Sequence, residues 1–431
     1  MKKIFYIIIN LYILQGTIMG AIIDKIDIKG KTIPLIFEKH KSLPIFNLQL
    51  VFKNSGYVND GNKTGLTSLS ANLLNEGTKK DGSVGFANKL ESKAISIDTS
   101  YGFETFVIEV SCLKSEYKTA LKYLKQLLKD PNLTQDSLDK LKILQLSKLE
   151  QKENDYDYLA KKQLKKILFK NTPLENDSLG NKKTIQDISL EDIKNNLNKI
   201  FNINNLIVVA GGKFELEEIK ESIKPIVSIM KKTTNNNELK QFRVSKNTAT
   251  KILKKETKQA YIYFGSEYLI NVNDKDVYKA KVASFILGES GFGSRLMEEI
   301  RVKNGLAYSA YGYISINKSH TYFTGYLQTK IENQDKAKQL VIKTINDFVK
   351  NGVTQEELDG AKKFLSGSEP LRTETFSQRL SRAYHLFYKG LDQDYPKKEL
   401  QKINNLTLKE LNSFIKKHSE ILKLSFSIVT K

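Results

Sequence analysis

A single cysteine, four histidines and seven prolines stand in a chain of 431 residues. With only Cys112 available no internal disulfide can form, so stability must come from a packed core. Cys112 sits in an apolar, strand-like run and reads as a buried structural thiol. The histidines, His40, His320, His385 and His418, share no ligand spacing, which speaks against a histidine-built metal site. Beyond the extreme N-terminus no apolar run is long enough to cross a bilayer. No Gly-x-Ser-x-Gly elbow is present. "GNKTG" (61–65) and "GESGFGSR" (288–295) lack what a phosphate loop requires, and the second reads as a turn before a helix.

What is plentiful is lysine. Lys and Arg total 69 against 48 Asp and Glu, a formal charge of +21. The charge is diffuse, with acidic residues interleaved and no basic stripe alternating with aromatics. Nucleic acid is therefore not expected as a partner, whereas acidic or unfolded polypeptides are. Lys2 and Lys3 precede the apolar run Ile4–Leu14, and the small residues of 17–21 follow. This is the pattern of a secretory signal peptide over residues 1–20, with an uncleaved anchor as the alternative. The mature chain is then expected to be exported, periplasmic or secreted, without a membrane span.

The chain repeats itself. "LTQDSLDKLK" (133–142) returns as "VTQEELDGAK" (353–362), and "IQDISLEDIKNNLNK" (185–199) as "INNLTLKELNSFIKK" (403–417). The offsets are 220 and 218 residues, and "SYGF" (100–103) is faintly echoed by "AYGY" (310–313). Matches in constant order mean a duplicated domain. The polar stretch from 231 to 246 reads as the linker between domains over 21–230 and 247–431. Within each half, alternating runs such as Phe46, Leu48, Leu50 and Phe52 come first. Helical periods follow at about 115–129, 134–170 and 189–201. The expected class is α+β: two tandem homologous α/β sandwich domains, each an antiparallel-rich sheet covered by helices.

"GLTSLSANLLNEGT" (65–78) carries two faces. Leu66, Leu69 and Leu73 form a buried stripe, while Ser68, Ala71, Asn72 and Asn75 make a small, polar, uncharged strip at helical spacing. This helix, the duplication, "RVKNGLAYSAYGY" and "SQRLSRAYHLFYKG" together resemble the insulinase/pitrilysin family, which includes the mitochondrial processing peptidases, over about 22–431. The resemblance implies a half-shell architecture. In an active member the helix reads G-L-x-H-x-x-E-H-x-x-x-x-G-T, with two histidines on zinc and the glutamate activating the metal-bound water. Here Ser68 and Asn72 stand at the histidines and Ala71 at the glutamate. Near the expected third ligand stand Ser147, Lys148 and Leu149, with only Glu150 close. A lone carboxylate cannot hold zinc in water, so no metal is expected on this chain. The emptied face should tolerate Ser68→Ala or Asn72→Ala.

The second half differs. Active relatives use an arginine and, seven residues on, a tyrosine to hold the substrate carbonyl. Arg301 and Tyr308 in "RVKNGLAY" match that spacing. Both are donors suited to an oxygen gathering negative charge. Without the resemblance they would read as a helix-end cation and a strand aromatic. With it, the chain is expected to be the non-zinc subunit of a heterodimeric metallopeptidase. It would be inactive alone, supplying Arg301 and Tyr308 to the zinc site of a sister subunit that keeps the His-x-x-Glu-His helix. The alternative is a non-catalytic protein that holds polypeptides in the old cleft. An independent hydrolase has no motif behind it.

Overall fold

The computed structural model describes residues 20–40, 42–232 and 238–431. The leader expected over 1–20 lies, but for Gly20, outside the described residues. So do 233–237 of the expected linker.

In the first half β1 (Ile22–Ile28), β2 (Lys31–Lys39), β3 (Ile45–Lys53), β4 (Ser96–Tyr101), β5 (Thr105–Leu113) and β6 (Leu206–Gly212) form one sheet in the order β1-β2-β6-β3-β5-β4. Only β2 and β6 pair in parallel. Its helices are α1 (Leu66–Leu74), α2 (Gly82–Glu91), α3 (Tyr117–Lys129), α4 (Gln135–Lys152), α5 (Tyr156–Leu168), α6 (Lys182–Asp187), α7 (Leu190–Ile200) and α8 (Leu216–Val227). The helical period over 134–170 is split between α4 and α5. Asp155 breaks it by accepting from the Tyr158 amide at 3.0 Å, which caps a new helix.

The second half contains β7 (Thr250–Lys254), β8 (Gln259–Glu267), α9 (Val277–Ser284), α10 (Arg295–Met297), β9 (Ala307–Ile316) and β10 (Thr321–Lys330). It continues with α11 (Gln334–Asn351), α12 (Gln355–Gly367), α13 (Phe376–Lys389), α14 (Tyr395–Asn405), α15 (Leu408–Lys417) and β11 (Ser425–Thr430). Its sheet runs β7-β11-β8-β10-β9, again with one parallel pair, β7 with β11. Strand for strand this repeats β2-β6-β3-β5-β4. The duplication read from the sequence is thus a duplicated topology, and β1 is an added edge.

Two-residue alternation gives each sheet two apolar faces. Leu48, Leu50 and Phe52 join Phe106, Ile108 and Val110 beneath the first half's own helices. Ile262, Phe264 and Phe426 do the same in the second. The opposite faces are covered by exchange. Leu159, Leu164 and Leu168 of α5, from the first half, pack on Tyr263 and Val429 of the second sheet. Phe376, Leu380 and Ala383 of α13, from the second half, pack on Ile36, Val51, Ile207 and Val209 of the first. Tyr156 and Phe376, the first residues of the two helices, are 220 positions apart, the repeat offset itself. Each half therefore completes the other. Because β6 is covered on both faces, every one of its residues is buried.

Polar contacts lock the exchange. Arg379 Nε donates to the buried Glu38 at 2.6 Å. Tyr388 OH and the Ser319 amide donate to Glu104 at 2.6 and 2.9 Å. The described part of the linker also takes part: the Phe242 amide donates to Ser319 O at 2.7 Å, and Val244 is buried beside α5.

Candidate functional site

The polar strip of α1 is closed at Ser68 and Ala71, while Asn72 is half-buried and Asn75 exposed. Its helix starts at Gly65, whose φ of +94° and proximity to Leu179 O leave no room for a side chain. Buried Asp60 accepts from the amides of Gly65 and Thr67 at 3.0 and 3.1 Å, and from the Thr67 hydroxyl. Burial pushes its carboxyl up to about 6, and those hydrogen bonds only partly oppose the rise. Ser68 donates to Gln145 Oε1 at 3.0 Å and accepts from Tyr101 OH at 2.8 Å, while Gln145 Nε2 donates to Leu179 O at 2.8 Å. Ala71 is buried in the core, Asn72 is half-buried, and Asn75 binds both backbone groups of Thr99 on β4.

The face that carries the metal triad in active relatives is thus packed against α4 and the edge strand β4. Glu150 is exposed on α4, Leu149 packs on the core, and neither has a hydrogen bond to Ser68. The residue that does is Gln145, which the sequence reasoning missed. Its signal was a polar residue on the buried α4 face that also holds Leu138 and Leu141. Nor is the face indifferent to substitution. Removing the Ser68 hydroxyl takes a partner from both Tyr101 and Gln145.

Among the described residues no group of three or more His, Cys, Asp or Glu side chains could hold a metal ion. His418 accounts for itself structurally: it stacks on Tyr268, with ring centroids 4.9 Å apart, and contacts Glu420 at 2.8 Å. Burial pushes the Cys112 thiol up to about 11, away from nucleophilic chemistry.

Arg301 and Tyr308 are together and at the surface. Arg295 anchors the segment, its guanidinium donating to both oxygens of Glu357 at 2.6 and 2.7 Å and to Gly352 O at 2.7 Å. A widened turn follows over Glu298–Val302, where the Lys303 amide donates to Glu298 O five residues back at 2.9 Å. Arg301 leaves the helix there. In β9, Ala307 to Ala310 face only Thr329 to Leu327, one residue fewer. This bulge re-aims Tyr308, which is 82% exposed on an edge strand. The Arg301 guanidinium carbon lies 4.6 Å from the ring centre of Tyr308 and 4.6 Å from that of Phe292. Phe292 is the second residue that sequence reasoning missed; an aromatic alone in a glycine-rich turn was the available clue.

Arg295, Arg372, Arg379 and Arg382 each have a carboxylate partner, whereas exposed Arg243 has none among the described residues. Among the described residues Arg301 has neither an ion pair nor a side-chain hydrogen bond, and neighbouring Glu299 is engaged by Lys303 at 2.5 Å. A cavity of about 750 Å³ between α9, α13 and α14 does not include the pair. Among the described residues no hydrogen bond, ion pair or ring contact joins the pair to the α1 strip.

A twice-repeated α+β sandwich with an emptied zinc helix in one half and an arginine–tyrosine pair in the other defines a degenerate peptidase-like protein. Residues 39–182 match the insulinase family (peptidase family M16), and residues 187–365 match the peptidase M16 inactive domain. The chain is 44% identical over 430 residues to a Helicobacter pylori protein named "Non-peptidase homolog YmxG", covering 100% of this chain and 99% of that one. It is 25% identical over 264 residues to an "Uncharacterized zinc protease YmxG" of Bacillus subtilis, covering 61% and 63%. Its fold matches a peptidase M16 inactive domain structure from Pseudomonas fluorescens, with TM-score 0.86, 24% identity and coverage of 95% and 97%. It also matches the structure of a protease from Helicobacter pylori, with TM-score 0.83, 15% identity and coverage of 95% and 100%. The chain belongs to the insulinase family, peptidase family M16, among its inactive homologues.

Proposed function

We propose that this chain is the non-zinc subunit of an exported, heterodimeric M16 peptidase, lending Arg301 and Tyr308 to a zinc site held by a sister chain. The carrying observation is the state of Arg301: half-buried, held by two rings, and without an internal acceptor among the described residues. Exposed Arg243 also has no ion pair among the described residues, but only Arg301 is clasped between two aromatic rings. A guanidinium and a phenol together can hold a peptide carbonyl and stabilise it as charge develops. The loss of all three catalytic side chains on α1 supports placing the metal on another chain, since Ser and Asn are poor zinc ligands. The excess of 21 positive charges supports an acidic partner surface or peptide. No helix among the described residues is long and apolar enough to cross a membrane.

The test is co-purification with a sister chain bearing an intact His-x-x-Glu-His helix, followed by light scattering and elemental analysis. The expected result is a heterodimer burying more than ~2,000 Å², with zinc on the sister and less than stoichiometric zinc on this chain alone. A strict monomer in the sister's presence, or near-unit zinc on this chain alone, would contradict it. Peptide capture by the isolated chain without any pairing would favour a polypeptide-holding role instead.

A further inference from the structure

The geometry points to Phe292 as the positioning residue for Arg301: its ring, carried on a pinned glycine-bracketed turn, holds the guanidinium in the pose from which it meets a ligand oxygen. This rests on the role proposed above for Arg301. Phe292 is 67% exposed, so burial does not explain its place. The turn aims it. Gly291 and Gly293 take φ of +70° and +83°, and only the residue between them carries a side chain outward. The turn is fastened from below, where fully buried Ser294 donates through both its hydroxyl, at 2.6 Å, and its amide, at 3.0 Å, to Gly291 O.

The guanidinium lies equally close to Phe292 and Tyr308, and no ring contact joins the two aromatics among the described residues, so they hold different sides of it. Two ring faces fix the plane of a guanidinium while leaving its edge N–H groups free. A carboxylate in place of Phe292 would fix the plane too, but would occupy those donors. Tyr308 is itself expected to bind the ligand oxygen. Phe292 is therefore the wall whose only task is orientation.

The chain contains six arginines, so arginine-selective isotope labelling gives few signals, and loss of one in Arg301→Lys assigns Arg301. In the isolated chain the Arg301 side-chain protons are expected to be shifted upfield by the rings. That shift should shrink in Phe292→Ala and Phe292→Leu and persist in Phe292→Tyr. An unchanged Arg301 signal in Phe292→Ala overturns the proposal, as does full retention in Phe292→Leu, which keeps bulk but has no ring face. In the complex with the zinc-bearing sister, Phe292→Ala should lower kcat/KM roughly two- to fivefold, with Phe292→Tyr restoring it. Phe292→Ala should add nothing to Arg301→Ala, because one acts through the other. Additive losses overturn the positioning role. A fully active Arg301→Ala complex beside a Phe292-dependent arginine signal would instead leave the clamp standing and remove the function proposed for Arg301.

Discussion

Asp60 shows what an emptied site still needs. It fixes the entry to α1 through two amides and a hydroxyl, yet burial holds its carboxyl near 6, against an ordinary 3.8. The folded state thus binds a proton more tightly than the unfolded one. Its contribution to stability is full below about pH 4 and is lost as pH rises through about 6. Two units correspond to roughly 2–3 kcal/mol. Thermal melts of the wild type and Asp60→Asn should show the wild type losing ground to the variant between pH 4 and 7. A constant difference across that range would contradict the assignment. The same network accounts for what was legible here. Ser68, Ala71 and Asn72 were readable as substituted positions because the surrounding G-L…G-T pattern survives. That Ser68 is bonded across to Tyr101 and Gln145 depends on how β4 and α4 converge, which no local spacing encodes.

At the scale of elements the repeat offset carried most of the fold. Two segments about 220 residues apart implied two copies, and the sheets do repeat strand for strand. The exchange of α5 and α13 was not legible. An amphipathic period says that a helix face is buried but not against which sheet. The wide turn at Glu298–Val302 and the bulge after Ala307 were hidden for a related reason: each adds one residue without disturbing the apolar pattern. The exchange has a mechanical consequence. Leu380 belongs to α13 but packs on β2 and β6 of the other half. Leu380→Ala should destabilise the protein by roughly 2–4 kcal/mol. It should also speed amide exchange in β2 and β6, far away in sequence. Faster exchange confined to the second half would mean that α13 does not hold the first sheet.

For the whole molecule, two halves that began alike have diverged in opposite directions. In the first, Ser68, on the face bearing the metal site in active relatives, is buried and hydrogen-bonded to Gln145 and Tyr101. In the second, half-buried Arg301 lies between exposed Tyr308 and Phe292 on a wide turn, a bulged edge strand and a tight loop, with the segment anchored by Arg295 and Ser294. On the function proposed above, this chain would supply the groups that hold a carbonyl, and a zinc-bearing partner the metal-activated water. The most direct measurement is turnover of a quenched peptide by the complex with a zinc-bearing sister. Arg301→Ala and Tyr308→Phe should each leave assembly unchanged and lower kcat by roughly 10²–10³-fold, the loss expected for one oxyanion donor. Full activity in both variant complexes would contradict catalysis completed across the subunit boundary.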